Sequence, residues 1–188
     1  STPRGCGFVA EHAALRLIDS TPLAKVLVRA AQHGSVACAL GVAFGRAERD
    51  DTGCLVVGML PGGWLLLAPP GSAAGVVHRM AAYGVGEFST VIDVTHGHAL
   101  VRLIGARAAA VLRKLCPIDQ ADAVIPDGAV FRSLLAGLTA TVIRDDLAGE
   151  RSYLLQCERS YGQYLVDVLL DAGAEFGIEG VRNVAQTR

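Results

Sequence analysis

The sequence predicts an α+β fold of two similar lobes, each an antiparallel sheet covered by helices. Three observations carry that expectation. Short apolar runs with strand character are joined by turn residues, as in Cys54 to Leu60 and Trp64 to Ala68 around Pro61-Gly62-Gly63. The two halves share the order strand, helix, strand, strand, helix, with short matching pieces. Leu27-Val28-Arg29 and Leu100-Val101-Arg102 each end a strand before an Ala-rich helix, and Trp64-Leu65-Leu66-Leu67 parallels Tyr153-Leu154-Leu155-Gln156. The last helix of each half ends alike, in Ala82-Tyr83-Gly84 and Asp171-Ala172-Gly173. Finally, the strand-helix alternation that a doubly wound parallel sheet requires is missing.

Taken in order, residues 1–21 form an N-terminal arm, with a short apolar run at Ala13 to Ile18 that suits a short helix or loose packing. The first lobe spans 22–86. It holds a strand at Leu23 to Ala30, a short helix at Gln32 to Gly41, a polar loop at Gly45 to Gly53, the two strands around Pro61, and a helix over Ser72 to Tyr83. The second lobe spans 87–176. Thr90 to Val94 and His98 to Ile104 are strands joined by a polar bend, and Gly105 to Cys116 is the clearest helix. Its Ala108, Val111, Leu112 and Leu115 share one face, and Pro117 stops it. Val130 to Leu135, Leu138 to Arg144 and Tyr153 to Cys157 are three further strands. Arg159 to Ala172 is a closing helix with Tyr161, Leu165, Val168 and Leu169 at helical spacing. Residues 177–188 are a C-terminal tail.

Composition narrows the function. Of 188 residues, 52% are hydrophobic and 19% charged, below the roughly 25% charged of an average soluble domain. Two readings of this stay open: apolar surface kept for a partner, or the Ala, Gly, Val and Arg bias of a GC-rich genome. A net charge of −1 argues against nucleic-acid binding. No apolar run reaches the roughly 18 residues of a membrane span, and Ser1 to Gly7 lacks the layout of a secretion signal. Five cysteines, an odd number without a C-x-x-C pair, suit a reduced, cytoplasmic protein. Cys38, Cys54, Cys116 and Cys157 lie in apolar stretches, where a free thiol acts as a small hydrophobe.

Candidate chemistry is sparse. There is no G-x-G-x-x-G after a strand, no P-loop and no G-x-S-x-G elbow. The most site-like cluster is Asp93, His96 and His98; a metal wants three or four ligands, and a solvated polar turn explains the same residues. Asp145, Asp146 and Glu150 surround an inter-strand loop, where carboxylates are ordinarily solvated rather than acid-base pairs. Ser160 with Gln163 reads as a capping box. Trp64 reads as core in preference to an interface anchor. Lys25 reads as an edge-strand lysine that blunts sheet-to-sheet association, because a buried unpaired ammonium is costly. No catalytic and no metal-binding residue is assigned.

Several stretches taken together resemble the gamma subunits of heterotetrameric sarcosine oxidase. They are Leu23 to Arg29 before a helix, Gly63-Trp64-Leu65-Leu66-Leu67-Ala68-Pro69, Val91 to Thr95, Leu103 to Ala109, Val111-Leu112, Cys116-Pro117-Ile118-Asp119 and Arg159-Ser160-Tyr161. The resemblance implies a subunit of a four-chain flavoenzyme that oxidises sarcosine to glycine, with oxygen reduced to peroxide and tetrahydrofolate accepting the one-carbon unit. It implies alpha, beta and delta partners that carry FAD, FMN, NAD, zinc and tetrahydrofolate, with no cofactor bound by this chain alone. It also implies a folate-binding aminomethyltransferase-like fold, shared with the glycine cleavage T-protein.

That relationship tests for catalysis. The T-protein pattern places an aspartate pair on the strand that here reads Ala136-Gly137-Leu138-Thr139-Ala140-Thr141, and no carboxylate follows until Asp145. The T-protein asparagine near the last helix is replaced by Cys157-Glu158-Arg159. The expectation is therefore a non-catalytic structural subunit. The rivals are a free-standing folate-binding protein with a pocket between its halves, and an enzyme built on Asp93, His96 and His98.

Overall fold

The computed structural model of the chain describes residues 15–183. Its first half runs β1 (Arg16–Asp19), β2 (Ala24–Ala30), α1 (Ser35–Leu40), β3 (Ala47–Arg49), β4 (Leu55–Leu60), β5 (Gly63–Ala68), α2 (Ala73–Tyr83) and β6 (Ser89–Asp93). The second half runs β7 (His98–Ile104), α3 (Ala108–Leu115), β8 (Val130–Leu135), β9 (Leu138–Arg144), β10 (Ser152–Glu158), α4 (Gly162–Gly173) and β11 (Glu179–Asn183). These strands form a five-stranded sheet, β3-β4-β5-β2-β6, and a six-stranded one, β11-β1-β7-β10-β9-β8. Neighbours are antiparallel except β1 and β11, which run parallel.

From β2 to β6 and from β7 to β11 the order is strand, helix, three strands, helix, strand. The internal repeat is present, longer in each half than the sequence suggests. In the first sheet the place beside β2 is taken by β6. In the second, the place beside β7 is taken by β1, with β11 beyond it.

Four segments differ from the sequence expectation. Arg16–Asp19 is a strand rather than an arm or short helix, because Leu17 packs into the second sheet's core. Four residues are too few for periodicity to show this. The polar stretch 45–53 contains β3, and the expected tail contributes β11. Ser89–Asp93, expected to open the second half, instead completes the first sheet by pairing with β2. The rest of the expected arm and tail, residues 1–14 and 184–188, lies outside the described residues.

The layers follow from side-chain alternation. On β5, Trp64, Leu66 and Ala68 join Val76 and Met80 of α2 in one cluster, while Leu65 and Leu67 face the second sheet. On β7, Ala99, Val101 and Leu103 pack under α3 and α4, while Leu100 faces the first sheet. The molecule is thus helices, sheet, sheet, helices. Trp64 is core, as expected, and its indole N–H donates to the Val42 carbonyl at 2.8 Å. Gly58 marks a bulge in β4, where a Cβ would collide with the Ala43 carbonyl oxygen. Among the described residues, no helix is long and apolar enough to cross a membrane.

Candidate functional site

Between the sheets lies a wedge. At its closed end Leu55, Val57, Leu65 and Leu67 meet Leu100, Ile143 and Leu154. There a buried Asp145 carboxylate oxygen is held by Arg102 of β7 at 2.6 Å and by Arg49 of β3 at 2.7 Å. At the other end the sheets part into a cleft of about 880 Å³. One wall is apolar, with Leu27, Met59 and Leu65; the other is polar, with Thr139 and Thr141 of β9 and Gln156 and Glu158 of β10. Arg29 and Arg132 approach from opposite sheets, and Tyr161 and Tyr164 also line the opening.

The β8–β9 hairpin is fixed at the cleft by its turn, where Ala136 and Gly137 both adopt positive φ, 48° and 85°. The Tyr164 hydroxyl donates to the Ala136 carbonyl at 2.8 Å. Two buried polar atoms among the described residues have no hydrogen-bond partner there: Gln156 Oε1 and His98 Nδ1, both on residues that line the cleft.

The residues singled out from sequence scatter. Asp93 Oδ1 accepts the Thr95 N–H at 2.9 Å. Hydrogen bonding by Thr95 holds its carboxyl below the usual carboxylate range. His96 is exposed, and only His98 reaches the cleft. Among the described residues, no three His, Cys, Asp or Glu side chains are grouped to hold a metal ion. The Asp145–Glu150 carboxylates are not free solvated charges: Asp145 is in the buried pair, while the partly exposed Asp146 and Glu150 bond Arg144 at 2.8 Å and Arg16 at 2.7 Å. Asp145 and Glu150 sit in salt bridges because the loop folds back over basic residues that are distant in sequence. The capping box does not form; a 3-10 turn, Arg159–Tyr161, precedes α4 and Gln163 bonds Asp167 instead. Cys38 is exposed, whereas Cys54, Cys116 and Cys157 are buried as expected.

Lys25 is the largest correction. It lies on a central strand, fully buried, and donates to the carbonyls of Thr21 (2.7 Å), Leu23 (3.0 Å) and Thr95 (3.3 Å). It thereby ties the β1–β2 link to the β6–β7 link, the two places where the chain crosses between sheets. Burial, assisted by Arg159, lowers its pKa to about 8, with Asp19 and Asp93 opposing.

Sequence reasoning misses the cleft residues. Helical spacing puts Tyr161 in a core stripe, yet it is half exposed at the opening. Gln156, a buried amide in an otherwise apolar strand, is the one available signal.

Two stacked, repeated α+β lobes with a cleft between their sheets define a two-lobed α+β fold. Residues 54–187 match the family described as GCVT N-terminal domain, and the chain belongs to that family. Sarcosine oxidase subunit gamma of Corynebacterium sp. (strain P-1) is 30% identical over 142 residues, 76% of this chain and 66% of that protein. The gamma subunit of strain U-96 is 28% identical over 148 residues, 77% of this chain and 70% of that one. The matched stretch is thus about two thirds of these relatives' length. A shorter match, 32% over 88 residues, is to sarcosine oxidase subunit alpha of Rhizobium meliloti (strain 1021), of which it covers 9%. A chain of heterotetrameric sarcosine oxidase from Corynebacterium sp. U-96, solved with pyrrole 2-carboxylate, superposes with TM-score 0.76 at 26% identity, covering 93% of this chain and 91% of that one. Aminomethyltransferase T from Bartonella henselae shares the fold, with TM-score 0.68 at 16% identity, covering 90% of this chain and 48% of that one. Within the family, the sequence groups this chain with the sarcosine oxidase gamma subunits, and the structure matches a chain of the heterotetrameric enzyme.

Proposed function

We propose that the chain serves as the non-catalytic gamma subunit of a heterotetrameric sarcosine oxidase, a cytoplasmic flavoenzyme that demethylates sarcosine oxidatively to glycine with tetrahydrofolate as one-carbon acceptor. Its partners on this reading are alpha, beta and delta chains, which carry FAD, FMN, NAD, zinc and the folate. One observation carries the non-catalytic part: β9 turns Thr139 and Thr141, and no carboxylate, toward the cleft. Charge that develops during one-carbon transfer needs a fixed group of opposite sign, and two hydroxyls do not supply it. The remaining carboxylate on that wall, Glu158, lies at the end of β10 and is exposed. A folate in this cleft would meet no buried carboxylate from β9.

Co-expression with candidate alpha, beta and delta chains tests the reading. Sarcosine oxidation is expected from the assembled complex and not from this chain alone. Failure to form a stable complex, or turnover by the isolated chain, overturns it.

A second reading, folate binding without chemistry, is favoured by the cleft's size and by the unpartnered Gln156 Oε1. Titration calorimetry with tetrahydrofolate on the isolated chain distinguishes it. Trp64 fluorescence does not suit that test, because the indole packs on the helix side of its sheet.

A further inference from the structure

We infer that the open end of the wedge is the surface through which this chain grips a larger partner, receiving from it an inserted segment with apolar side chains beside a carboxylate. This rests on the subunit reading above and specifies which face does the work.

The rim is apolar on several sides. Ile92 pairs opposite Leu27 in the β2–β6 register and so shares its cleft-facing side, yet it is 47% exposed. Leu134 stands opposite Thr139 on β8 and is 53% exposed. Tyr161 and Tyr164 complete the surround at 50% and 46%. Two aliphatic and two aromatic side chains around one opening resemble the anchors of a protein interface more than a solvated surface.

Charge identifies the occupant. Arg29 from the first sheet and Arg132 from the second line the opening against Glu158 alone, giving a local excess of one positive charge on a chain whose net charge is −1. A carboxylate on the entering segment complements that excess and fixes its register. Deeper in, Gln156 is 5% exposed and its Oε1 has no partner among the described residues. The backbone N–H of an extended segment satisfies such an acceptor. A small ligand held in the cleft would satisfy Gln156 but leave Ile92 and Leu134 in water; a polypeptide covers both.

The test uses the full chain and the complex assembled with the alpha, beta and delta chains. Ile92→Asp, Leu134→Asp and Arg132→Glu each alter an exposed rim position, and melting curves check that they fold. Each is expected to weaken association tenfold or more, whereas Arg113→Glu on the outer face of α3 leaves it unchanged. Amide exchange across Leu134 to Thr139 is expected to slow in the complex. Full affinity in all three rim variants, or unchanged exchange there, overturns the inference while leaving the subunit reading intact. Saturation of the cleft by tetrahydrofolate within the intact complex also overturns it, because the space would then be vacant. If the unaltered chain forms no complex, the subunit reading fails and this inference falls with it.

Discussion

Arg102 of β7 and Asp145, just beyond β9, form a buried ion pair at 2.6 Å, and Arg49 of the opposite sheet shares the same carboxylate oxygen at 2.7 Å. One carboxylate therefore joins the two sheets at the closed end of the wedge. Removing it leaves Arg102 desolvated and short of its counter-charge. Asp145→Ala is expected to cost about 3–5 kcal/mol in urea unfolding. The double variant with Arg102→Met should recover part of that loss. Equal stability of Asp145→Ala and the unaltered chain would show that the pair does not hold the sheets.

Lys25 gives a pH dependence with a definite sign. Its folded pKa, about 8, lies below the ordinary 10.5, chiefly through burial. Between those values the unfolded chain binds more protons, so stability rises with pH across that window and is level on either side. The contribution is on the order of 3 kcal/mol at full extent. Denaturation midpoints taken from pH 7 to 10.5 should show a steeper rise in the unaltered chain than in Lys25→Met. Parallel curves would place the titration elsewhere.

The thiols should separate by exposure. Cys38 is exposed, while Cys54, Cys116 and Cys157 are buried, and burial raises Cys54 to about 11 and pushes Cys157 up as well. In a Cys6→Ser background, Ellman's reagent at pH 8 should titrate one thiol quickly and the other three only on unfolding. Rapid reaction of more than one contradicts the packing.

Gly58 should tolerate no side chain. A methyl group there would run into the Ala43 carbonyl, and backbone would have to move in a bulged strand to relieve the clash. Gly58→Ala is expected to cost about 1–3 kcal/mol, the usual range for overpacking. Gly75→Ala on α2, where a Cβ meets nothing within 4 Å, is the matched control and should be neutral or stabilising. Equal melting temperatures for the two variants would show that the β4 bulge yields freely.

By itself the sequence determined the fold class and most of the elements, missing only the short strands β1, β3 and β11. Apolar period, Pro61-Gly62-Gly63 and Pro117 fix strands and helices through contacts only a few residues apart, and the repeated order implies two lobes. The missing carboxylate on Leu138 to Thr141 is also readable, since it is a matter of residue identity. Tertiary structure decided what depends on long-range pairing. It placed β6 in the first sheet and β1 in the second, and it buried Asp145 against arginines 43 and 96 residues away. It also made Lys25 a carbonyl-bound pin in place of an edge residue, and opened a cleft lined by Gln156, Arg132 and Tyr164. Apart from the Thr21 and Leu23 carbonyls that Lys25 meets nearby, these partners lie far apart in the chain, so no pattern of neighbours encodes them. The packing of two sheets face to face brings them together.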